Sequence, residues 1–162
     1  MLEPADAGGV YPLLLQVSGY AAMERGSDLI EPQDLVKAIY IVDLEHVAAF
    51  WSAWEGFERL VNDQRLANGR SATYTNRTLY LIRIEAAMRD SPDGFIGLGN
   101  PSPILQKIVA RARDLASERS DVTVTPSSRE LLFATCCLDS ELSQFLQKSG
   151  LQLDKLEESV MK

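Results

Sequence analysis

"AMERGSDLIEP" (residues 22–32) and "ASERSDVTVTP" (residues 116–126) decide how this chain is read. Set 94 positions apart, they share Ala22/Ala116, Glu24/Glu118, Arg25/Arg119 and Pro32/Pro126, and Ile30 faces Val124. Each carries a helical pattern to an Ala-x-Glu-Arg end and then into a short apolar run before proline. The residue ahead of a proline is pushed out of the α region, so "LIEP" and "VTVTP" are expected to be extended. With Ser127 and Ser128 inserted after Pro126, the spacing becomes 96. Leu35, Ala38, Asp43, Glu45 and Leu60 then face Leu131, Ala134, Asp139, Glu141 and Leu156 with no further gap, and Phe57 faces Leu153. One shared turn can arise by chance, but shared helix order, caps and apolar positions point to one helical hairpin unit used twice. Such copies pack face to face because neither buries its apolar side alone.

The rest of the chain reads outward from these two connectors. Leu13, Leu14, Val17, Ala21 and Ala22 recur at three- and four-residue spacing and predict a helix over Tyr11–Arg25, after a lead-in (1–9) containing Pro4, Gly8 and Gly9. Asp34–Val42 reads as a short buried helix. Asp43 is a good N-cap for the next one, with Glu45 in its first turn. That helix is expected to carry Val47, Phe50, Trp51 and Trp54 until Gly56 breaks it, and "FERLVNDQRL" (57–66) resumes it. Residues 75–90 predict a further helix, and "SPDGFIGLGNPSP" (91–103) a loop. The final third reads as a long helix over Ile104–Arg119, the extended "VTVTP", and a short helix around "RELLFATCC" (129–137). A helix capped by Asp139 and stopped by Gly150 follows, and then "LQLDKLEESVMK" (151–162). Apart from "VTVT" no stretch reads as a strand, so the expected class is all-α.

Composition narrows the function classes. With 46% apolar and 24% charged residues in 162, the chain can bury a sizeable core as one domain. The net charge of −7 sits in the first third: residues 1–60 hold ten acids against three bases, 61–102 four against five, and 103–162 nine against eight. An acidic chain without a long basic stripe is a poor nucleic-acid binder, because phosphate neutralisation supplies most of that affinity. Basic or arginine-bearing protein partners suit it better. No apolar run approaches the roughly 20 residues that span a bilayer, and the first residues lack a basic region before their apolar run, so a cytoplasmic location is expected.

Residues 104–160, "ILQKIVARARDLASERSDVTVTPSSRELLFATCCLDSELSQFLQKSGLQLDKLEESV", resemble the repeat of the Clp N-terminal domain, the double-repeat helical module at the front of Clp-type AAA+ unfoldases. The order is a long helix ending Ala-x-Glu-Arg, Val-x-Val-Thr-Pro, Leu-Leu-x-Ala, a capped helix, glycine and a closing leucine-rich helix. Residues 11–61 follow it less fully, and the two together cover about two thirds of the chain. The resemblance implies one domain over 1–162 built of two pseudo-symmetric four-helix repeats packed together. Repeat 1 would span about 10–64, an inserted linker helix about 65–102, and repeat 2 about 103–162. It also implies a non-catalytic module that recognises substrates or adaptors for an unfoldase, with no cofactor. The rival expectation is an all-α regulatory or structural protein that keeps the fold without that link. Two departures matter. Where the family carries Glu-His after the extended segment, this chain has Gln33-Asp34 and Arg129-Glu130. In some family members that glutamate helps to bind phosphorylated arginine, so the replacement places this ligand in doubt.

Candidate sites follow from these positions. Gln33, Asp34, Arg129 and Glu130 occupy matching places at the start of matching helices. Asp34 and Glu130 could engage basic groups of a partner, but first-turn carboxylates that complement the helix dipole are the plainer account, worth about 0.3–1 kcal/mol each. Phe50, Trp51 and Trp54 span more than one face of a helix, so either that helix is sandwiched or one aromatic contacts a partner; Trp51 and Trp54 are the binding candidates. Arg70, Arg77 and Arg83, with no acid between them, read as a solvated face or as a dock for an acidic partner. The lone His46 supplies too few ligands for a metal, and "GLG" (97–99) is a turn, not a phosphate loop. Adjacent Cys136 and Cys137 cannot readily bridge and are read as small buried apolar residues.

Overall fold

The computed structural model describes residues 11–24, 26–52, 82, 83, 85, 86, 89, 100–118 and 125–161. Among these the chain is mostly helical, with seven α-helices, one turn of 3-10 helix and a single pair of two-residue strands. Helix α1 (Tyr11–Glu24) buries Leu14, Val17, Ala21 and Ala22, the spacing that predicted it. Gly26 ends it at φ +76°, and a Cβ there would meet nothing within 4 Å, so the backbone angle alone calls for glycine. The Ser27 N–H donates to the Ala22 carbonyl at 2.9 Å and the Gly26 N–H to Met23 at 3.0 Å, the paired closure of a Schellman motif. Strand β1 (Leu29–Ile30) then runs parallel to β2 (Asn100–Pro101), with Leu29 opposite Asn100 and Ile30 opposite Pro101. The "LIEP" stretch is thus extended where expected, while β2 lies in a segment read as loop.

Helix α2 (Pro32–Val42) begins two residues earlier than its pattern suggests. Pro32 is its first residue, where a missing N–H costs nothing and the fixed φ is already helical. Glu31, extended at φ −105° and ψ 163°, is the N-cap. After α2 the chain departs from expectation. Helix α3 (Leu44–Val47) lasts four residues, a 3-10 turn covers Ala48–Phe50, and Trp51 is extended at φ −103° and ψ 133°. A helix carrying Phe50 and Trp51 is therefore not what forms, and Trp54 lies outside the described residues. The physical reason is tertiary. The main chain at 50–52 pairs with 150–152, the Gln152 N–H donating to Phe50 at 2.7 Å and the Ser52 N–H to Gly150 at 2.9 Å. Trp51 becomes buried in the process.

Helix α4 (Pro103–Glu118) starts after Ser102, whose hydroxyl caps the Leu105 N–H at 3.2 Å, and it buries Leu105, Ile108, Ala112, Leu115 and Ala116. Helix α5 (Ser128–Leu138) follows the N-cap Ser127. Pro126 stands two residues ahead of α5, whereas Pro32 opens α2, so the shared prolines do not hold the same helical position. The "VTVT" residues 122–124 lie outside the described part. Helix α6 (Ser140–Lys148) is capped by the Asp139 carboxylate, which accepts from the Leu142 N–H at 3.0 Å. Gly150, at φ +114°, stops it as the sequence predicts, and the Leu151 N–H closes back to Leu146 at 3.1 Å. Helix α7 (Leu153–Met161) is the last described element, and residues 82, 83, 85, 86 and 89 are helical within the predicted 75–90 segment.

The core lies where α1 packs on α2, α4 packs on α5, and α6 and α7 close over α5, with α2 touching α5. Leu35, Val36, Ala38, Ile39, Tyr40 and Ile41 of α2 meet Leu131, Leu132, Phe133, Ala134 and Cys136 of α5 in one apolar cluster. Burial of this kind contributes about 25 cal/mol per Å² of apolar surface, and α1, α4, α6 and α7 add further buried side chains to the same cluster.

Candidate functional site

The first turns of α2 and α5 place Asp34 and Glu130 at the third helical position, and both carboxylates are buried. Each folds back onto its own N-cap. Asp34 Oδ2 accepts from the Glu31 N–H at 2.8 Å, and Glu130 Oε1 from the Ser127 N–H at 3.3 Å. Glu130 Oε2 also takes the Ser127 hydroxyl at 2.5 Å. These are capping boxes, and they satisfy N–H groups that the helix itself leaves free. Gln33 and Arg129 beside them are half-buried, and Arg129 Nη1 donates to the Ser159 hydroxyl of α7 at 2.9 Å.

Asp43 ends α2 and is buried, yet its carboxylate serves two side chains. Oδ2 accepts from the fully buried Ser128 hydroxyl at 2.5 Å, across 85 residues of sequence. Oδ1 is bonded to His46 Nδ1, whose ring faces solvent. Serine, aspartate and histidine are therefore joined through the aspartate, not through the histidine. The imidazole does not sit between hydroxyl and carboxylate as a general base must, so the trio ties α2 to α5 and is not arranged for nucleophilic attack. A second tie lies alongside: Trp51 Nε1 donates to the Ser149 hydroxyl at 3.1 Å, beside the main-chain bridge of Trp51 to Leu151. Of the aromatic candidates, Trp51 is thus committed to the interior, and Phe50 packs partly buried against the same core.

The two cysteines separate. Cys136 is buried, and that burial pushes its thiol up to about 11 despite a hydrogen bond with Ser143. Cys137 is exposed, contrary to the sequence reading of both as buried; partial desolvation still raises it, opposed by Arg111. Burial lowers Lys37, opposed by Glu24 and Asp34. Arg83 is exposed, while Arg70 and Arg77 lie outside the described residues. Among the described residues no group of three metal-ligating side chains converges, and no helix is long and apolar enough to cross a membrane.

Sequence reasoning missed Ser128 and Ser149, and it assigned Asp43 to capping α3. The one signal was the Ser127-Ser128 insertion, whose first residue caps α5 and whose second reaches Asp43. No family model matches the chain, and no curated protein or solved structure matches it.

Proposed function

We propose that this chain is a non-catalytic protein-recognition module, one helical unit used twice, resembling the Clp N-terminal domain and presenting substrates or adaptors to a Clp-type AAA+ unfoldase in the cytoplasm. The observation that carries the reading is the match of α2 to α5. Both run 11 residues, 96 positions apart, both follow a capping box whose third residue is acidic, and both end against an aspartate. The helices before them, α1 and α4, carry Glu24 and Glu118, the pair first aligned in sequence. Exposed charged residues on α6 and α7, among them Glu141, Lys148, Asp154 and Glu158, supply a polar face for a protein partner.

Two measurements test it. An experimental structure in which residues 32–43 and 128–139, each with its preceding helix, fail to superpose removes the doubled unit. Immobilised protein challenged with a purified Clp-type unfoldase, its adaptors and an unfolded client tests the function separately. Absence of binding to all three sinks the unfoldase link while leaving the fold intact.

That second outcome leads to the other reading, an all-α regulatory or structural protein. It is favoured by the pairs that stand where Glu-His is expected: Gln33 and Arg129 take the glutamate's place without a carboxylate, and Asp34 and Glu130 beside them fold inward onto their own N-caps.

A further inference from the structure

We draw no further inference here: the strongest candidate, the surface patch at the corner where exposed Met23 near the end of α1 meets exposed Leu29 of β1, carries nothing because nothing in the structure shows what covers it.

Discussion

Asp43 and Asp139 stand 96 positions apart, each just past an 11-residue helix, and they do different things. Asp139 keeps to local work: its carboxylate caps α6, which then runs nine residues to Lys148. Asp43 reaches across the molecule to Ser128, and the helix beyond it stops after four residues. The chain there turns through Ala48–Phe50 and lays Trp51 against the α6–α7 turn. Residues of one type, 96 positions apart and each at the end of an 11-residue helix, thus diverge in what they serve. The second region spends its carboxylate on extending its own helix. The first spends it on holding the other region, and its short α3 leaves the main chain at 50–52 free for pairing that a continued helix would have consumed.

The comparison breaks hardest at Trp51, whose counterpart by spacing is the exposed Gln147. Trp51→Ala is expected to lose about 3–5 kcal/mol in a urea melt, as for other buried tryptophans, and Gln147→Ala about 0.5 kcal/mol or less. Equal losses would mean that the buried indole and its bond to Ser149 add nothing. Thiol labelling draws a contrast within the second region, between the buried and exposed faces of α5. At pH 8 a thiol raised to about 11 is roughly a hundredfold less ionised than one at the reference 9.0. Cys137 should therefore react in the native protein and Cys136 only after denaturant, with Cys137→Ser removing the native phase. The sign for stability follows: the raised Cys136 value favours the folded state below about pH 9, and that contribution is lost as pH rises towards about 11.

Asp43→Ala leaves the fully buried Ser128 hydroxyl without this acceptor and is expected to cost about 1–3 kcal/mol, and Asp43→Asn, which retains an acceptor, less. Asp139→Ala, a cap loss alone, should cost about 1 kcal/mol. If the two alanine variants melt together, the difference between the aspartates is not energetic. The smallest contrast is between the helix stops. Gly26→Ala and Gly150→Ala each force a side chain into the left-handed region and should each cost about 1–2 kcal/mol, with no difference between the regions.

What was legible in the sequence is what neighbours determine. The apolar spacing of α1 and α4, the Asp139 cap, the Gly150 stop and the extended Leu29–Ile30 all depend on residues within a turn or two. Pro32 was misjudged by two residues because a proline that ends an extended segment can equally begin a helix, and only the capping box of Glu31 and Asp34 decides which. The stop at Val47 was not legible: Ala48, Ala49, Phe50 and Trp51 suit a helix, and the competing hydrogen bonds come from Gly150 and Gln152. At the candidate site, the placement of Gln33, Asp34, Arg129 and Glu130 at two helix starts was readable. The inward turn of both carboxylates was not, since exposure and capping use the same residue types.

The ties between the regions have a consequence for the order of folding. Asp43 to Ser128 closes 85 residues and Trp51 to Ser149 closes 98, whereas α1 with α2 and α4 with α5 join neighbours in the chain. Long closures carry the larger entropic cost and are rewarded late. We expect the two hairpins to form before they dock, so that the ties act as a brake on unfolding. In chevron kinetics, Asp43→Ala should steepen the loss through a faster unfolding rate with folding almost unchanged. A slowed folding arm would instead put the junction in the nucleus.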